Sequence, residues 1–288
     1  MILVTGAAGK TGRAVIRALV GLGSPVRAFV HREEHRAPVR ELGAGEVVVG
    51  DLRDEAAFGQ AAHGTKAIYH LCPNVSPDEV TIGRVAIEAA RASGTRRFVY
   101  HSVLHPQTES MPHHWQKLRV EEMLFESGLD HTILQPSAYM QNILTAQTRT
   151  AIVERGRYEV PYPVGTRLSM VDLHDVAAVA ARVVTESGHV GATYELAGPE
   201  ILTQSEVAAI LSHSLGQPVE AFQIPLSEWR RRAEAAGLGA YQIETLVKMF
   251  RYYERHGFWG NPRVLGWLLN REPTRLEAFV EREKAAIL

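Results

Sequence analysis

The sequence begins with a short apolar strand that is followed at once by three glycines at positions 6, 9 and 12. Ile2, Leu3 and Val4 suit a buried parallel strand, and a helical pattern starts near residue 10. Glycine permits a tight turn and close backbone approach, and the free N–H groups of a helix start attract phosphate. The segment therefore predicts a strand, a turn and a helix that hold a dinucleotide pyrophosphate. The residues expected around the phosphates are Gly6, Ala8, Gly9, Lys10, Thr11 and Gly12.

The end of the second predicted strand indicates which dinucleotide is bound. This strand runs from Val26 to Val30, and Arg32 follows it, twenty residues after Gly12. An acidic residue at that distance would accept hydrogen bonds from the ribose hydroxyls of NAD. A guanidinium has no acceptor, but it matches a 2′-phosphate. The sequence therefore predicts NADP(H) as the cofactor and makes NAD(H) the less favoured one.

Strand and helix patterns alternate through the first half of the chain. Further strands are predicted at 46–49, 67–71, 97–101 and 131–135, with helices ending near residue 62 and spanning 78–93 and 114–127. Such alternation predicts an α/β fold with a doubly wound parallel sheet of the Rossmann type. Ligands gather at the carboxyl ends of such strands. Those ends fall at Gly6, Arg32, Asp51, Cys72, Ser102 and Ser137.

The second half of the chain is less regular. A helix is predicted to run from the segment 170–176 to about Glu186, and a strand to follow at 193–197. Thr203 and Glu206 form a capping-box pattern at the head of a helix that ends near Leu215. Three more helices are expected after Ser227, at 241–256 and at 274–286. We expect an NADP(H)-binding domain at 1–150, to which about 165–200 return, and a smaller α+β substrate lobe at 151–288.

Composition narrows the class of protein. The 31 basic and 32 acidic side chains leave a formal charge of −1, which gives no electrostatic reason to expect nucleic-acid or membrane partners. The dense basic run, Arg230 to Arg232, is expected to coat a solvated helix face. A single cysteine excludes an intramolecular disulfide and suits a reducing compartment. With the first strand at residue 2 and no apolar run of about 18 residues, a cytoplasmic location is expected.

Five stretches of the sequence match the motifs of a known family, namely Val4–Gly12, Val26–Arg32, Gly50–Leu52, Lys117–Asn142 and Val171–Ala177. On these stretches the chain resembles the NmrA-like family of atypical short-chain dehydrogenase/reductases. They cover about the first 180 residues well and the remainder loosely. The resemblance implies an NADPH-dependent reductase of quinones, azo dyes or triphenylmethane dyes. Because the family also includes redox-sensing regulators, a non-enzymatic NADP(H) sensor is the alternative function.

The resemblance also assigns expected positions around the cofactor. Asp51 and Leu52 would lie by the adenine, Cys72 and Pro73 by the dinucleotide, and Lys117 by the nicotinamide ribose. Leu71, at the end of the fourth strand, joins them as a cofactor-binding candidate. The residues that would line the nicotinamide and substrate side are Pro136, Ser137, Tyr139 and Asn142.

The expected catalytic group departs from that of ordinary short-chain reductases. These use Tyr-x-x-x-Lys, but here the string is His113-His-Trp-Gln-Lys117, so the lysine remains without the tyrosine. Lys117 would bind ribose hydroxyls and stabilise negative charge, and Ser102 would bond a substrate oxygen. His113 and Tyr139 are the candidate proton donors. A histidine just ahead of a helix is also typical of the surface, and Tyr100 suits the strand core better than catalysis.

The missing acid predicts the class of acceptor. Hydride transfer to a simple ketone leaves an alkoxide whose conjugate acid has a pKa of about 16, whereas a quinone leaves an anion with a pKa of about 10. That difference lowers the reliance on a proton donor by about 8 kcal/mol. We therefore expect a flat, conjugated small-molecule substrate. The only other partner expected is a second copy of the chain, in a homodimer.

Other residues and motifs give weaker indications of function. Cys72 is expected to be a small neighbour of the cofactor rather than a reactive thiol. The string His31-Arg-Glu-Glu-His35 matches a zinc-protease pattern, but it starts at a strand end, so no metal site is expected. The aromatic stretch 241–259 is expected to be mostly core. An epimerase or lyase acting on a nucleotide sugar is disfavoured because the tyrosine–lysine pair is absent.

Overall fold

The computed structural model describes every residue from Met1 to Leu288. The chain divides into two compact units. Unit 1 comprises residues 1–109, 113–135 and 176–194, and unit 2 comprises residues 110–112, 136–175 and 195–288. None of the helices combines the length and the apolar character that crossing a membrane requires.

Thirteen strands and twelve α-helices make up the regular structure. The strands are β1 (Ile2–Val4), β2 (Val26–Val30), β3 (Glu46–Val49), β4 (Ala67–His70), β5 (Arg97–His101), β6 (Asp130–Pro136), β7 (Ala138–Tyr139), β8 (Arg157–Val160), β9 (Arg167–Leu168), β10 (Met170–Val171), β11 (Ala192–Leu196), β12 (Leu202–Thr203) and β13 (Glu220–Gln223). The helices are α1 (Lys10–Gly21), α2 (Arg36–Glu41), α3 (Glu55–Ala62), α4 (Glu79–Ala92), α5 (Pro112–Glu126), α6 (Ala146–Arg155), α7 (Leu173–Thr185), α8 (Gln204–Leu215), α9 (Leu226–Ala235), α10 (Ala240–His256), α11 (Arg263–Leu269) and α12 (Leu276–Ile287). Short 3-10 turns cover Glu33–His35 and Met140–Leu144.

The central sheet has seven strands in the order β11-β6-β5-β4-β1-β2-β3. Strands β1 to β6 pair in parallel, with β1 between β2 and β4. The order 3-2-1-4-5-6 is that of the doubly wound dinucleotide-binding fold, in which the crevice opens where the strand order reverses. The predicted α/β fold class is therefore confirmed.

The core explains why these strands are nearly continuous apolar runs. Leu3 on β1 and Phe98 on β5 are fully buried, because helices cover both faces of a parallel sheet. On α1, Val15, Ile16 and Leu19 are fully buried and share the face that packs on the sheet. Burial of this face fixes the direction from which the start of α1 approaches the loop after β1.

Most predicted elements lie where the sequence placed them, and the differences have local causes. Helix α5 begins at Pro112, two residues earlier than predicted, because proline is well tolerated in the first turn of a helix. Helix α2 escaped prediction because Pro38 interrupts its short pattern. Helix α6 is rich in polar residues, and α11 has only seven residues, so neither shows a clear apolar period.

Unit 2 consists of small sheets and most of the C-terminal helices. Its two-stranded pairs are β7 with β10, β9 with β12, and β8 with β13. The capping box of α8 is confirmed, since Thr203 Oγ1 accepts from the Glu206 N–H and Glu206 accepts in return. The C-terminal segment is held by the buried Asp175, whose carboxylate accepts from Arg271 at 2.5 Å and from the backbone N–H of Thr274 at 2.7 Å.

Candidate functional site

The loop between β1 and α1 is shaped so tightly that side chains cannot fit at its key positions. Gly6 has φ +56°, in the left-handed region that favours glycine. A Cβ on Gly12 would lie 2.4 Å from the carbonyl oxygen of Gly6 and 2.7 Å from Cα of Ala7. Gly9 donates its N–H to the carbonyl of Gly6 at 3.0 Å. The glycine spacing therefore serves a tight turn and a close approach of loop and helix, as predicted.

The start of α1 has no side chain competing for its N–H groups. Its N-cap is Gly9, no side chain caps it, and its first turn contains no acidic residue. Ala8, Lys10 and Thr11 lie in this loop and first turn, and Lys10 is the first helical residue. An uncapped helix start behind a glycine turn is an anion seat, because its N–H groups and dipole favour negative charge.

A buried threonine joins this loop to the end of β4. Thr5 Oγ1 donates to the Leu71 carbonyl at 2.9 Å and accepts from the Leu71 N–H at 2.8 Å. Leu71 is buried, Cys72 is half-buried and Pro73 is exposed. Burial and the neighbouring Glu79 raise the pKa of the Cys72 thiol well above its usual value. Cys72 is therefore a neutral thiol rather than a nucleophilic thiolate.

The carboxyl ends of β2 and β3 carry a basic and an acidic residue. Arg32 follows β2 with its side chain 66% exposed, and its Nη1 lies 3.3 Å from Glu34 Oε1. Such an exposed pair is weak, so a bound phosphate can compete for the guanidinium. Asp51 follows β3 and is held by Arg53 at 2.6 Å, which lowers the pKa of the Asp51 carboxyl to about 2. Leu52 packs partly on the core of unit 1.

The lysine that the family resemblance singles out is part of a buried ion pair. Lys117 Nζ lies 2.9 Å from Glu79 Oε1 and donates to the His101 carbonyl at 3.3 Å. The Tyr100 hydroxyl donates to the same Glu79 oxygen at 2.8 Å. Tyr100 is fully buried, and burial raises the pKa of its phenol well above the usual value. The interpretation of Tyr100 as a core residue is therefore confirmed.

Ser102, at the end of β5, is tied to a second buried carboxylate. Its hydroxyl donates to Glu121 Oε1, and Gln135 Nε2 donates to both Glu121 oxygens at 3.0 Å. Burial raises the pKa of Glu121, and the hydrogen bonds from Ser102 and Gln135 oppose that rise. The serine hydroxyl is thus oriented by α5 and β6 together.

His113 is placed differently from a surface histidine. It lies inside α5 and is 9% exposed, so the surface interpretation is wrong. Burial, together with the charge of Lys117, lowers the pKa of His113 to about 4. Its Nδ1 is buried without a hydrogen-bond partner. The imidazole is therefore neutral near pH 7 and cannot act there as an imidazolium acid.

The remaining predicted residues belong to unit 2. Pro136 ends β6, and Ser137 follows it, fully enclosed, with its Oγ lacking any hydrogen-bond partner. Tyr139 lies on β7, which pairs with β10, and is half-buried. Asn142 lies in the 3-10 turn Met140–Leu144. A buried hydroxyl without a partner costs free energy, and a hydrogen bond to a ligand or to a water molecule would offset that cost.

Three functional candidates escaped the sequence analysis, namely Glu79, Glu121 and Gln135. Each partners a residue distant in sequence, so no local spacing reveals it. Their only sequence signal is position, since Gln135 lies near the end of β6 and Glu79 begins the helix after β4. No group of three or more His, Cys, Asp or Glu side chains is arranged to hold a metal ion.

The basic run 230–232 and the aromatic stretch 241–259 make contacts within the protein that account for most of their side chains. The basic run is paired along its length, since Arg230 binds Glu244 while Arg231 and Arg232 bind Glu228. The aromatic stretch near the C-terminus is partly core and partly surface. Its buried members are Phe250, Tyr253 and Phe258, whereas Trp259 is half exposed.

Sheet order, glycine loop and uncapped helix start together define a Rossmann-type α/β protein with a seat for a dinucleotide phosphate. The chain belongs to the NmrA-like family, whose sequence model matches residues 1–284. The resemblance inferred from the sequence motifs is therefore confirmed, and it extends over the second half of the chain as well.

Named relatives cover most of the chain. The NAD(P)H azoreductase of Xenophilus azovorans is 33% identical over 253 residues, which are 87% of this chain and 86% of that protein. A (4-alkanoyl-5-oxo-2,5-dihydrofuran-3-yl)methyl phosphate reductase of Streptomyces griseus is 39% identical over 225 residues, which are 76% and 75% of the two chains. Both relatives are reductases.

Solved structures share the whole fold. The NADPH-dependent quinone oxidoreductase of Escherichia coli, in complex with NADPH, superposes with a TM-score of 0.84 at 27% identity. The match covers 98% of this chain and 99% of that one. This chain, with the strand order and the glycine loop described above, is therefore similar over nearly its full length to a reductase whose structure contains NADPH.

Proposed function

We propose that this chain is an NADPH-dependent oxidoreductase that transfers hydride to a quinone-like or similarly conjugated acceptor. The observation that carries the proposal is the uncapped start of α1 behind a glycine loop with no room for a Cβ at Gly12. This loop occurs in a chain whose relatives over most of its length are NAD(P)H reductases. Bound NADPH would supply the hydride. The alternative, a non-enzymatic sensor, is not favoured by these relatives.

The residues of unit 1 fit the cofactor. The glycine loop would hold the pyrophosphate, and Arg32 would bind the 2′-phosphate with a guanidinium that only an exposed, weak pair now engages. Asp51 and Leu52 would lie by the adenine, as in the family. The residues proposed to follow the dinucleotide toward its nicotinamide end are Leu71, Cys72, Pro73, Ser102 and Lys117.

We assign the acceptor to unit 2. Ser137 offers a buried hydroxyl that lacks a partner, so it can donate to a carboxamide or carbonyl oxygen without breaking another bond. Tyr139 contributes a phenol, and Pro136 and Asn142 complete the nicotinamide and substrate side by family resemblance. Unit 1 would then be the cofactor-binding part and unit 2 the main substrate-binding part. The homodimer, the cytoplasmic location and the lack of nucleic-acid partners stay predictions.

The candidate donor His113 and the two nearby hydroxyl groups of unit 1 are all poor acids at neutral pH. Tyr100 donates to Glu79, Ser102 donates to Glu121, and His113 is a neutral imidazole. A quinone gives an anion whose conjugate acid has a pKa of about 10, whereas a simple ketone gives an alkoxide whose conjugate acid has a pKa of about 16. Reduction of the quinone therefore depends far less on a strong proton donor. Because the hydroxyls already donate hydrogen bonds to carboxylates and the imidazole is neutral, the site favours conjugated acceptors. The names of the relatives agree, because azo compounds, quinones and an oxo-dihydrofuran are all conjugated electrophiles.

Turnover by the purified protein tests the proposal. NADPH consumption would be followed by the loss of nicotinamide absorbance with a series of quinones and with aliphatic ketones of similar size. We expect kcat/KM to be at least 100-fold higher for the quinones. Faster reduction of the ketones would refute the acceptor class, and NADPH binding without turnover of any acceptor would support the sensor instead.

A further inference from the structure

Glu79 is the one carboxylate in direct contact with the ammonium of Lys117. Its side chain is 3% exposed and that of Lys117 is 13% exposed. Glu79 Oε1 lies 2.9 Å from Lys117 Nζ and accepts from the Tyr100 hydroxyl at 2.8 Å. The carboxylate is therefore fixed from two sides, by α5 and by β5.

These contacts restrict what Lys117 can donate. An ammonium has three N–H groups, and two of them are engaged by Glu79 and by the His101 carbonyl. The Tyr100 ring lies 5.4 Å from Nζ and covers a further side. One N–H direction is left for a ligand. A fixed ammonium with one open donor is suited to a single directional hydrogen bond, such as one to a ribose hydroxyl.

The same contacts change the electrostatic effect of Lys117. A carboxylate at 2.9 Å weakens the attraction of the ammonium for a reacting oxygen a few ångströms further away, because the two opposite charges partly cancel there. The other polar groups near Nζ do not restore the charge. Burial lowers the pKa values of His70, His101 and His113, so these imidazoles are neutral near pH 7, and the nearby Cys72 is a neutral thiol. The next carboxylate, that of Glu121, is bound by Ser102 and Gln135 and adds no positive charge.

We propose that Glu79 is a positioning residue that points Lys117 at the cofactor and offsets part of its charge toward the acceptor. Lys117 would then hold the nicotinamide ribose but would stabilise the alkoxide formed from a simple ketone only weakly. Glu79 would thereby determine specificity for acceptors with stabilised anions. The part concerning acceptors rests on the proposed function, whereas the part concerning cofactor binding does not.

A purely structural role explains Glu79 poorly. Burying an ion pair costs both partners their hydration, and well-packed apolar residues in its place are often as stable or more so. The pair also lies at the carboxyl ends of β4 and β5, where ligands bind in this fold. A buried pair at this edge is better explained by what its lysine does.

Two substitutions at position 79 separate the positioning effect from the charge effect. Glu79→Gln keeps an oxygen that accepts from Lys117 but removes the negative charge. We expect its dissociation constant for NADPH to stay within threefold of the wild type, and the ratio of kcat/KM for an aliphatic ketone to that for a quinone to rise at least tenfold. Glu79→Leu removes the acceptor as well, so we expect NADPH binding at least tenfold weaker. Glu88→Gln, an exposed change on the same helix, should alter neither quantity.

A second background shows whether Glu79 acts through Lys117. With Lys117→Met in place, Glu79→Gln should leave the ketone-to-quinone ratio within twofold, and Glu79→Leu should weaken NADPH binding no further. The double variant Glu79→Leu with Lys117→Met also replaces the pair by two apolar residues, which keeps a folded comparison available if Glu79→Leu alone fails to fold. Calorimetry gives the NADPH affinities, and circular dichroism checks each fold.

Each part of the proposal has its own contradictory result. A ketone-to-quinone ratio unchanged within threefold in Glu79→Gln would overturn charge cancellation. Wild-type NADPH affinity in Glu79→Leu, or equal losses from that change with and without Lys117, would overturn positioning. If the wild type reduced no acceptor, the proposed function would fail, and the two NADPH measurements would still decide the positioning role.

Discussion

The hydroxyl of Ser102 donates a hydrogen bond to the carboxylate of Glu121, and each of these residues is 3% exposed. Gln135 donates to both oxygens of the same carboxylate at 3.0 Å. These bonds fix the serine at the carboxyl end of β5. They also place an ionisable group where burial raises its pKa, which links protein stability to pH.

Replacing Glu121 by glutamine should change how stability depends on pH. The unfolded carboxyl titrates near 4.5 and the folded one at a higher pKa, so between these values the folded state binds more protons. The stability contributed by Glu121 is therefore present below about 4.5 and lost as the pH rises through the folded pKa. The free energy of unfolding of Glu121→Gln, relative to the wild type, should increase with pH by about 1.4 kcal/mol for each unit of pKa shift.

Urea unfolding between about pH 4 and pH 8 measures this difference. Glu122→Gln is the matched control, because Glu122 is the next residue on α5, is 57% exposed and pairs only with the exposed Arg119. Its stability difference should not vary across the window in which Glu121 titrates. A flat profile for Glu121→Gln would contradict the buried, hydrogen-bonded carboxyl described here.

Alanine at position 12 should damage the phosphate seat. Its Cβ would lie 2.4 Å from the Gly6 carbonyl oxygen, and the neighbouring atoms are backbone, which cannot rotate away. We expect Gly12→Ala to cost about 1–3 kcal/mol of unfolding free energy and to weaken NADPH binding at least tenfold. Gly21→Ala, at the end of the same helix, has nothing within 4 Å of its new Cβ. This control should gain up to about 1 kcal/mol and leave NADPH binding unchanged.

Arg32 should discriminate between the two nicotinamide coenzymes. Removing a hydrogen bond to a charged phosphate costs about 1.5–3 kcal/mol, which is about a 10- to 100-fold change in affinity. We therefore expect Arg32→Gln to raise the dissociation constant for NADPH by that factor and to change that for NADH less than threefold. Arg40→Gln, an exposed change on α2, serves as the control. Equal losses for both coenzymes in Arg32→Gln would show that Arg32 does not read the 2′-phosphate.

Local patterns predicted the fold well because each depends on neighbouring residues. The bounds of β2, β3 and β5 match the expected ones, since Gly, Ser or Asp lies near each strand end and limits the apolar run. The capping box that begins α8 was equally local. The parallel sheet then followed from the alternation of strands and helices.

The site was only half predictable, because its partners are set by topology. Glu79 lies 38 residues from Lys117, and Glu121 lies 19 residues from Ser102. In the sequence, each of these glutamates is one of 32 acidic residues, and no spacing distinguishes it from the others. Only the packing of α4 and α5 against β5 brings them to the residues they bind. Burial likewise decided the state of His113, which the sequence left open between donor and surface.

Unit 1 should be sensitive to mild acid because it buries four neutral histidines. Burial lowers the pKa to about 3 for His70 and His101 and to about 4 for His113. Burial also lowers the pKa of His114 well below its usual value. The unfolded chain takes up protons near 6.5 and the folded chain does not, so stability falls as the pH falls below 6.5. Four protons at about 1.4 kcal/mol each give a limiting slope of about 5.5 kcal/mol per pH unit near pH 5. Urea unfolding at several pH values measures this slope, and the slope gives the number of protons taken up on unfolding. His114→Gln should lower that number by about one, whereas the exposed change His63→Gln should leave it unchanged. An uptake below one proton in the wild type would contradict the presence of four neutral, buried histidines.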